Sequence, residues 1–330
     1  MNPLLKVEDL HITFHSSSKN LQAVRGVSFE LHPGETLGIV GESGSGKTVM
    51  AKSLTKLIPK NKVTIEQGSV IYKNENLLNK TEKELQKIRG KEISMIFQDS
   101  MSSLNPTMKI GKQIAEGYLT HFPKAGKQTA YKKALDLLTK VGIPDTERRF
   151  SQYPYEFSGG MRQRVMTALA IISSPHILIA DEPTTALDVT TQAQILRLIK
   201  EFQKNENMSV ILITHDLRIV AGFCDRILVM YAGEIIESGS VSQIFNSPKH
   251  PYTKKLLYSI PRLDINEKKP LNTIQGFPPE FGSIIQGCGF YSRCPKAMNI
   301  CKKITPPSLE ISPDHQVKCW LYDSTLEMMP

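Results

Sequence analysis

The stretch that most limits what this chain can fold into is Gly41-Glu42-Ser43-Gly44-Ser45-Gly46-Lys47-Thr48. It has the form G-x-x-x-x-G-K-[ST], the pattern of a phosphate-binding loop. Thr36 to Val40 before it is a short apolar run suited to a buried strand, and Val49 to Leu57 after it reads as a helix. Strand, glycine-rich loop and helix are the context that such a loop needs. The glycines let the backbone curl its N–H groups inward, and the helix start adds the positive end of its dipole. In that frame Lys47 reaches the β- and γ-phosphates, and the Thr48 hydroxyl binds Mg²⁺. The fold class expected is α/β.

At 330 residues the chain is long enough for a sizeable core and two or more subdomains. No apolar run approaches the roughly 20 residues that span a bilayer. Met1 to Asp9 lacks the apolar core of a signal peptide, so the chain is expected to stay in the cytosol. The net charge of +9 could favour nucleic acid or an anionic membrane face, but a scattered, solvated surface is the expected reading. No stretch interleaves basic and aromatic residues as a nucleic-acid platform does, so no nucleic acid is expected as a partner.

Leu5 to Phe14 and Val24 to Leu31 alternate in polarity on either side of a polar turn, which predicts a small antiparallel sheet leading into the phosphate-loop strand. Phe14, near the end of the first strand, is a candidate to stack on a nucleotide base. Gln67 to Tyr72 predicts another strand and Thr81 to Arg89 a charged helix. Ile93 to Phe97 is an apolar strand ending at Gln98, where the loops of α/β sheets carry function. From about Ser103 to Pro154 helical patterns such as Ile110 to Leu119 and Thr129 to Val141 predict an inserted helical subdomain. Ser158 is placed to cap a helix from about Gly160 to Ser173, and the start Ser158-Gly159-Gly160 is a second potential phosphate site.

His176 to Asp181 is an apolar strand ending in two acids, Asp181 and Glu182. One suits a magnesium-water shell and the other a base beside the γ-phosphate. Asp188 leads into a helix from about Thr191 to Glu206. Ser209 to Thr214 is a strand ending at His215, a candidate γ-phosphate contact. Ile227 to Met230 and Glu234 to Ser238 form a hairpin around Ala232-Gly233. Cys224 stands alone in the sequence and is expected to be a buried, unreactive thiol.

In this order the pieces resemble the ATP-binding subunits of ABC transporters, over about residues 4 to 246. The resemblance implies a P-loop NTPase. It would have a RecA-like core, an antiparallel β subdomain, a helical subdomain at about 103–164, and a small C-terminal extension over 247–330. It makes Gly41 to Thr48 the Walker A loop, Gln98 the Q-loop residue and Ser158-Gly159-Gly160 the core of the signature. Ile177 to Asp181 becomes the Walker B strand, Glu182 the catalytic acid, Asp188 a D-loop residue and His215 the switch histidine. ATP and Mg²⁺ are the implied cofactors, with Thr48, Gln98 and Asp181 near the metal. Two such domains would pair head to tail, so that Lys47 and Ser158 of one chain serve different nucleotides.

Phe97-Gln98-Asp99-Ser100-Met101-Ser102-Ser103-Leu104-Asn105-Pro106 and Ala180-Asp181-Glu182-Pro183-Thr184-Thr185-Ala186-Leu187-Asp188-Val189-Thr190 narrow the resemblance to the oligopeptide/dipeptide importer group. Phe157 in place of Leu and Met161 in place of Gln make the signature similar to that of the D-type subunit. His250-Pro251-Tyr252-Thr253 resembles the start of that group's C-terminal extension. The implied partners are a second ATPase subunit (F-type, or a second copy), two transmembrane permease subunits and, through them, an extracytoplasmic solute-binding protein. The implied place is the cytoplasmic face of the membrane. The cargo is peptide, with nickel or another small solute as the alternative. Soluble ABC proteins of translation or DNA repair usually carry two nucleotide domains or a long coiled-coil insertion, and this sequence has neither.

Cys288, Cys294, Cys301 and Cys319 read C-x5-C-x6-C-x17-C. Disulfides are not expected in a reducing compartment. The C-x2-C pairs usual in structural zinc sites are absent, while a four-cysteine iron–sulfur cluster tolerates wider spacing, and reduced thiols without a ligand are the remaining reading. The stretch also resembles the end of the peptide-importer extension, in which some members hold a 4Fe-4S cluster.

Overall fold

The structure is a computed structural model, and it describes residues 2–15, 20–58, 63–98, 103–185, 187–259, 274–279 and 285–323. The polar turn at 16–19 and the motif positions 99–102 and 186 lie outside the described residues.

In chain order the elements begin with β1 (Leu5–His15), β2 (Asn20–Leu31), β3 (Thr36–Val40), α1 (Lys47–Ser53), β4 (Val63–Tyr72), β5 (Glu75–Asn76), α2 (Glu82–Ile88) and β6 (Ile93–Ile96). Helices α3 (Ile110–His121), α4 (Gly126–Lys140), α5 (Thr146–Phe150) and α6 (Gly159–Ile171) come next, then β7 (Ile177–Asp181), α7 (Val189–Glu206) and β8 (Ser209–Ile213). The last part holds α8 (Leu217–Phe223), β9 (Arg226–Tyr231), β10 (Glu234–Ser240), α9 (Val241–Asn246), α10 (Pro251–Tyr258), α11 (Asn299–Lys303), β11 (Ser308–Ser312) and β12 (His315–Lys318). The chain divides into two compact units. One contains Pro3–Leu31, Leu37–Leu78 and Thr214–Pro330; the other contains Met1–Asn2, His32–Thr36 and Asn79–Ile213. We call them the loop unit and the acid unit.

In the loop unit, β2, β1, β4 and β5 form the antiparallel sheet that the alternating residues predict. β3 pairs in parallel with β9, and β9 turns back into β10. The turn places Ala232 at φ 47° and Gly233 at φ 85°, the left-handed pair that a tight hairpin needs. The sheet then grows in a way that no sequence pattern announces. β12 adds antiparallel to β10, and β11 to β12, so the C-terminal region continues the sheet. Buried Glu237 on β10 anchors this region. Its carboxylate accepts from Lys249 N at 2.6 Å, His250 N at 2.9 Å and His315 Nε2 at 2.9 Å. A cluster of Val40, Val220, Val229, Tyr231, Tyr252 and Phe290 packs the β9 side of the unit, each large side chain worth about 1.5–3 kcal/mol on burial.

In the acid unit β6, β7 and β8 run parallel, and every residue of β7 and β8 is buried. Continuous apolar runs of this kind are what a doubly covered parallel sheet requires. Helices α3 and α4 pack against one another and against α6, with Ile114, Ala134, Leu138 and Val165 buried.

Two expectations need correction. The helix after the phosphate loop stops at Ser53 rather than Leu57. Ser53 turns its hydroxyl back onto Met50 O at 2.6 Å, and Lys56 takes a left-handed φ of 53°, which ends the turn. Cys224 is half-buried, not buried. Its sulfur lies against Gly38, where a Cβ would come within 2.9 Å. Among the described residues no helix is long and apolar enough to cross a membrane.

Candidate functional site

The loop begins directly at the end of β3 and delivers Lys47 as the first residue of α1. Two of its glycines are required by contact. A Cβ at Gly41 would run into the Met230 carbonyl, and Gly46 combines φ 97° with the Ala23 carbonyl at close range. Lys47 is buried, 6% exposed, so its charge is held inside the loop rather than in solvent. Its Nζ donates to Gly41 O at 2.8 Å and Glu42 O at 2.9 Å. Beside the loop lies a cavity of about 310 Å³ lined by Glu42, Ser43, Gly44, Ser45, Tyr231 and Phe277 among others. Phe14 stands half-buried at the end of β1, paired with Leu21 and Val63. His215 is exposed just after β8, next to Asp216, which caps α8 through Arg218 N at 2.9 Å. The Arg218 side chain holds the Asp216 carboxyl below the usual carboxylate range.

In the acid unit Asp181 is fully buried at the end of β7. Glu182 follows at φ 49°, an uncommon left-handed conformation for a residue with a side chain, costing on the order of 1–3 kcal/mol. Its N–H donates to Ile213 O at 2.9 Å. The structure brings Gln98 to it: Gln98 Nε2 donates to Glu182 Oε2 at 3.2 Å. Thr185 Oγ1 donates to the same oxygen at 2.9 Å. Thr185 is not among the residues singled out from the sequence, although a hydroxyl three residues after an acid at a strand end is a recognisable orienting partner. Ser158 caps α6 as expected, accepting from Met161 N at 3.3 Å. Ser158 and Gly159 are exposed and Gly160 half-buried, so the helix start lies open. Asp188 is exposed and caps α7, its carboxyl held below the usual range first by Thr191 N–H and then by the Thr191 hydroxyl.

In the acid unit Gln98 and Asp181 offer an amide oxygen and a carboxylate, and in the loop unit Thr48 offers a hydroxyl, each a hard oxygen donor of the kind that Mg²⁺ takes. The donor chemistry therefore fits that ion.

The four C-terminal cysteines are free thiols, and all four line a single pocket with His250, Phe290 and Trp320. Burial is the main cause that pushes Cys288 to about 12 and Cys319 to about 11, and it raises Cys294 as well; the neighbouring sulfurs add to the shift. Four soft donors on one pocket wall fit an iron–sulfur cluster in kind. Among the described residues, though, no three His, Cys, Asp or Glu side chains close on a common metal-ion geometry.

A further contact joins distant parts of the chain and carries no sequence signal. Arg293, beside Cys294, donates through Nη1 to Glu42 Oε2 at 2.8 Å, and the Tyr252 hydroxyl accepts from Glu42 N at 3.0 Å.

The family model "ABC transporter" matches residues 24–185, and the model "Oligopeptide/dipeptide transporter, C-terminal region" matches residues 236–301. The chain is 50% identical to the dipeptide transport ATP-binding protein DppD of Bacillus subtilis over 99% of its own length and 97% of that protein. It is 51% identical to the oligopeptide transport ATP-binding protein OppD of the same organism, covering 96% and 88%. Among solved structures it is similar to a dimeric, post-hydrolysis ATP-binding cassette bound to ADP and Pi, with a TM-score of 0.65, 27% identity and coverage of 72% and 98%.

Proposed function

The chain belongs to the ATP-binding subunits of ABC transporters, and we propose that it hydrolyses ATP to drive uptake of dipeptides or oligopeptides through a membrane complex. The observation that carries this reading is the near-full-length similarity to DppD and OppD. It takes in the C-terminal region as well as the ATP-binding domain. The subunit works on the cytoplasmic face of the membrane, with two permease subunits and a second ATPase subunit, either F-type or another copy. The nucleotide-binding domain spans residues 1–246, with its helical subdomain at about 103–164, and the extension spans 247–330.

In the mechanism, loop N–H groups and Lys47 hold the β- and γ-phosphates, while Phe14 stacks on the base. Thr48, Gln98 and Asp181 would hold Mg²⁺, which neutralises charge on the phosphates when bound. Glu182 takes the proton of the attacking water, its carboxylate aimed by Thr185 and Gln98. His215 contacts the γ-phosphate. Ser158-Gly159-Gly160 and Asp188 act on the nucleotide of the paired subunit. The rate gain is mostly positioning and charge stabilisation.

The cysteine module is proposed to hold a structural 4Fe-4S cluster on Cys288, Cys294, Cys301 and Cys319, supported by their shared pocket. Anaerobic purification with iron and sulfide assay tests it; a colourless protein without iron removes it. The cargo is tested by uptake of labelled dipeptide, oligopeptide and nickel in cells lacking this subunit. Loss of peptide uptake alone is expected, and loss of nickel uptake alone would overturn the peptide assignment.

A further inference from the structure

The second residue of the phosphate loop is an acid. Glu42 puts a carboxylate beside the place where a nucleotide's phosphates are to be held, and like charges at such range disfavour binding unless one is neutralised. The neutralising group comes from a residue 251 positions away in the chain. Arg293 is buried, its side chain 5% exposed, and its fork is almost fully used. Nη1 bridges Glu42 Oε2 at 2.8 Å and the Tyr231 hydroxyl at 3.1 Å. Nη2 donates to Ile274 O and Nε to Gln275 O, both at 3.2 Å. Such a planar, multiply bonded guanidinium fixes direction as well as charge.

Tyr252, itself buried, accepts the Glu42 N–H and so ties the loop backbone to α10 at this residue. His250 Nδ1 in turn accepts from Tyr252 N at 3.0 Å. Arg293 lies in the short turn Tyr291–Arg293 immediately before Cys294, inside the cysteine module. Every one of these groups belongs to the loop unit.

We propose that Arg293 is a positioning residue for nucleotide binding: it neutralises Glu42 and locks the phosphate loop, making the C-terminal extension a brace for the ATP site. The inference rests on the reading that Gly41–Thr48 binds the nucleotide.

The test uses the full-length subunit for MgATP affinity and the assembled transporter for KM and kcat. Arg293→Met is expected to weaken MgATP binding and raise KM by about tenfold, within the usual range for coupled sites, with kcat changed less than about twofold. Glu42→Gln in the Arg293→Met background removes the uncovered charge and is expected to restore most of the affinity. A purely structural arginine would lower thermal stability without this KM-against-kcat split, and Glu42→Gln would not rescue it. Should Arg293→Met fail to fold, Arg293→Gln carries the same test, because its amide nitrogen, standing about where Nε stands, can still donate to the Gln275 carbonyl while the charge is gone. Unchanged affinity in the folded variant, or a loss that Glu42→Gln does not relieve, overturns the proposal. Lys47→Ala, run in parallel, separates the two failures. If it leaves MgATP binding intact, the loop reading itself is wrong; if it abolishes binding while Arg293→Met does nothing, only the brace is wrong.

Discussion

The phosphate loop buries its lysine, whereas most of the candidate positions in the acid-bearing segments are exposed. The loop is complete within its own unit: Lys47 is buried among loop carbonyls, glycines fit against neighbouring backbone, and Arg293 and Tyr252 hold Glu42 from outside. Apart from Asp181, which is fully buried, the candidate positions of the acid unit are more open. Gln98, Ser158, Gly159 and Asp188 are exposed, and Glu182 is half-buried. The difference teaches a division of labour. Under the proposed function, phosphate binding belongs to the loop of one chain, and the exposed Ser158, Gly159 and Asp188 act on the nucleotide of the paired subunit.

The largest effect is expected from Glu182→Gln. The substitution keeps the shape and the Thr185 contact but removes the base. Turnover in the assembled transporter should fall by about 10²- to 10³-fold, in the range of a lost general base. MgATP affinity of the isolated subunit, which belongs to the loop, should stay within about twofold of the unaltered protein. Phosphate release and nucleotide titration measure the two. Near-normal turnover would take the base role away from Glu182, and a parallel collapse of affinity would erase the division itself.

How much of the molecule is legible in its sequence depends on how local each signal is. The loop is readable because strand, glycines and helix are contiguous, and the acid pair because it ends an apolar strand of five residues. The left-handed backbone of Glu182 is not readable, since the hydrogen bond that accompanies it comes from Ile213 on a strand distant in sequence. β11 and β12 escape because Ser308–Ser312 and His315–Lys318 are short and polar, and become strands by pairing with an existing edge. Arg293 on Glu42 joins chain segments too distant for any pattern, and a lone arginine before Cys294 carries no mark of its partner. The cysteines are legible as a set from their spacing, and their common pocket bears out only that they lie together.

Ser158→Ala acts at the exposed start of α6. Loss of the cap to Met161 N should cost about 1 kcal/mol of stability, seen as a modest fall in Tm. The functional effect should be separable from it. Turnover of the paired complex should drop about tenfold, as expected for removal of one donor hydrogen bond, while the isolated subunit binds MgATP as before. If turnover is unaffected at a temperature where the variant is folded, Ser158 is a helix cap and nothing more.

The smallest expected effect concerns the support behind the loop. Burial pushes His250 down to about 3, and its Nδ1 accepts the Tyr252 N–H, so the folded protein keeps this imidazole neutral. The unfolded chain binds a proton near the ordinary value of about 6.5. Stability from this group is therefore complete above that pH and is lost progressively as pH falls toward about 3. Between pH 6.5 and 5.5 the loss should be about 1 kcal/mol. Denaturant unfolding of the full chain at both pH values measures it, against His250→Asn, whose side-chain oxygen can still cap the same helix but does not titrate. The unaltered protein should lose about 1 kcal/mol more than the variant over this interval. Equal losses would mean that His250 already takes up a proton in the folded state, and that the wall behind Tyr252 and Glu42 is as open to solvent as the start of the signature helix.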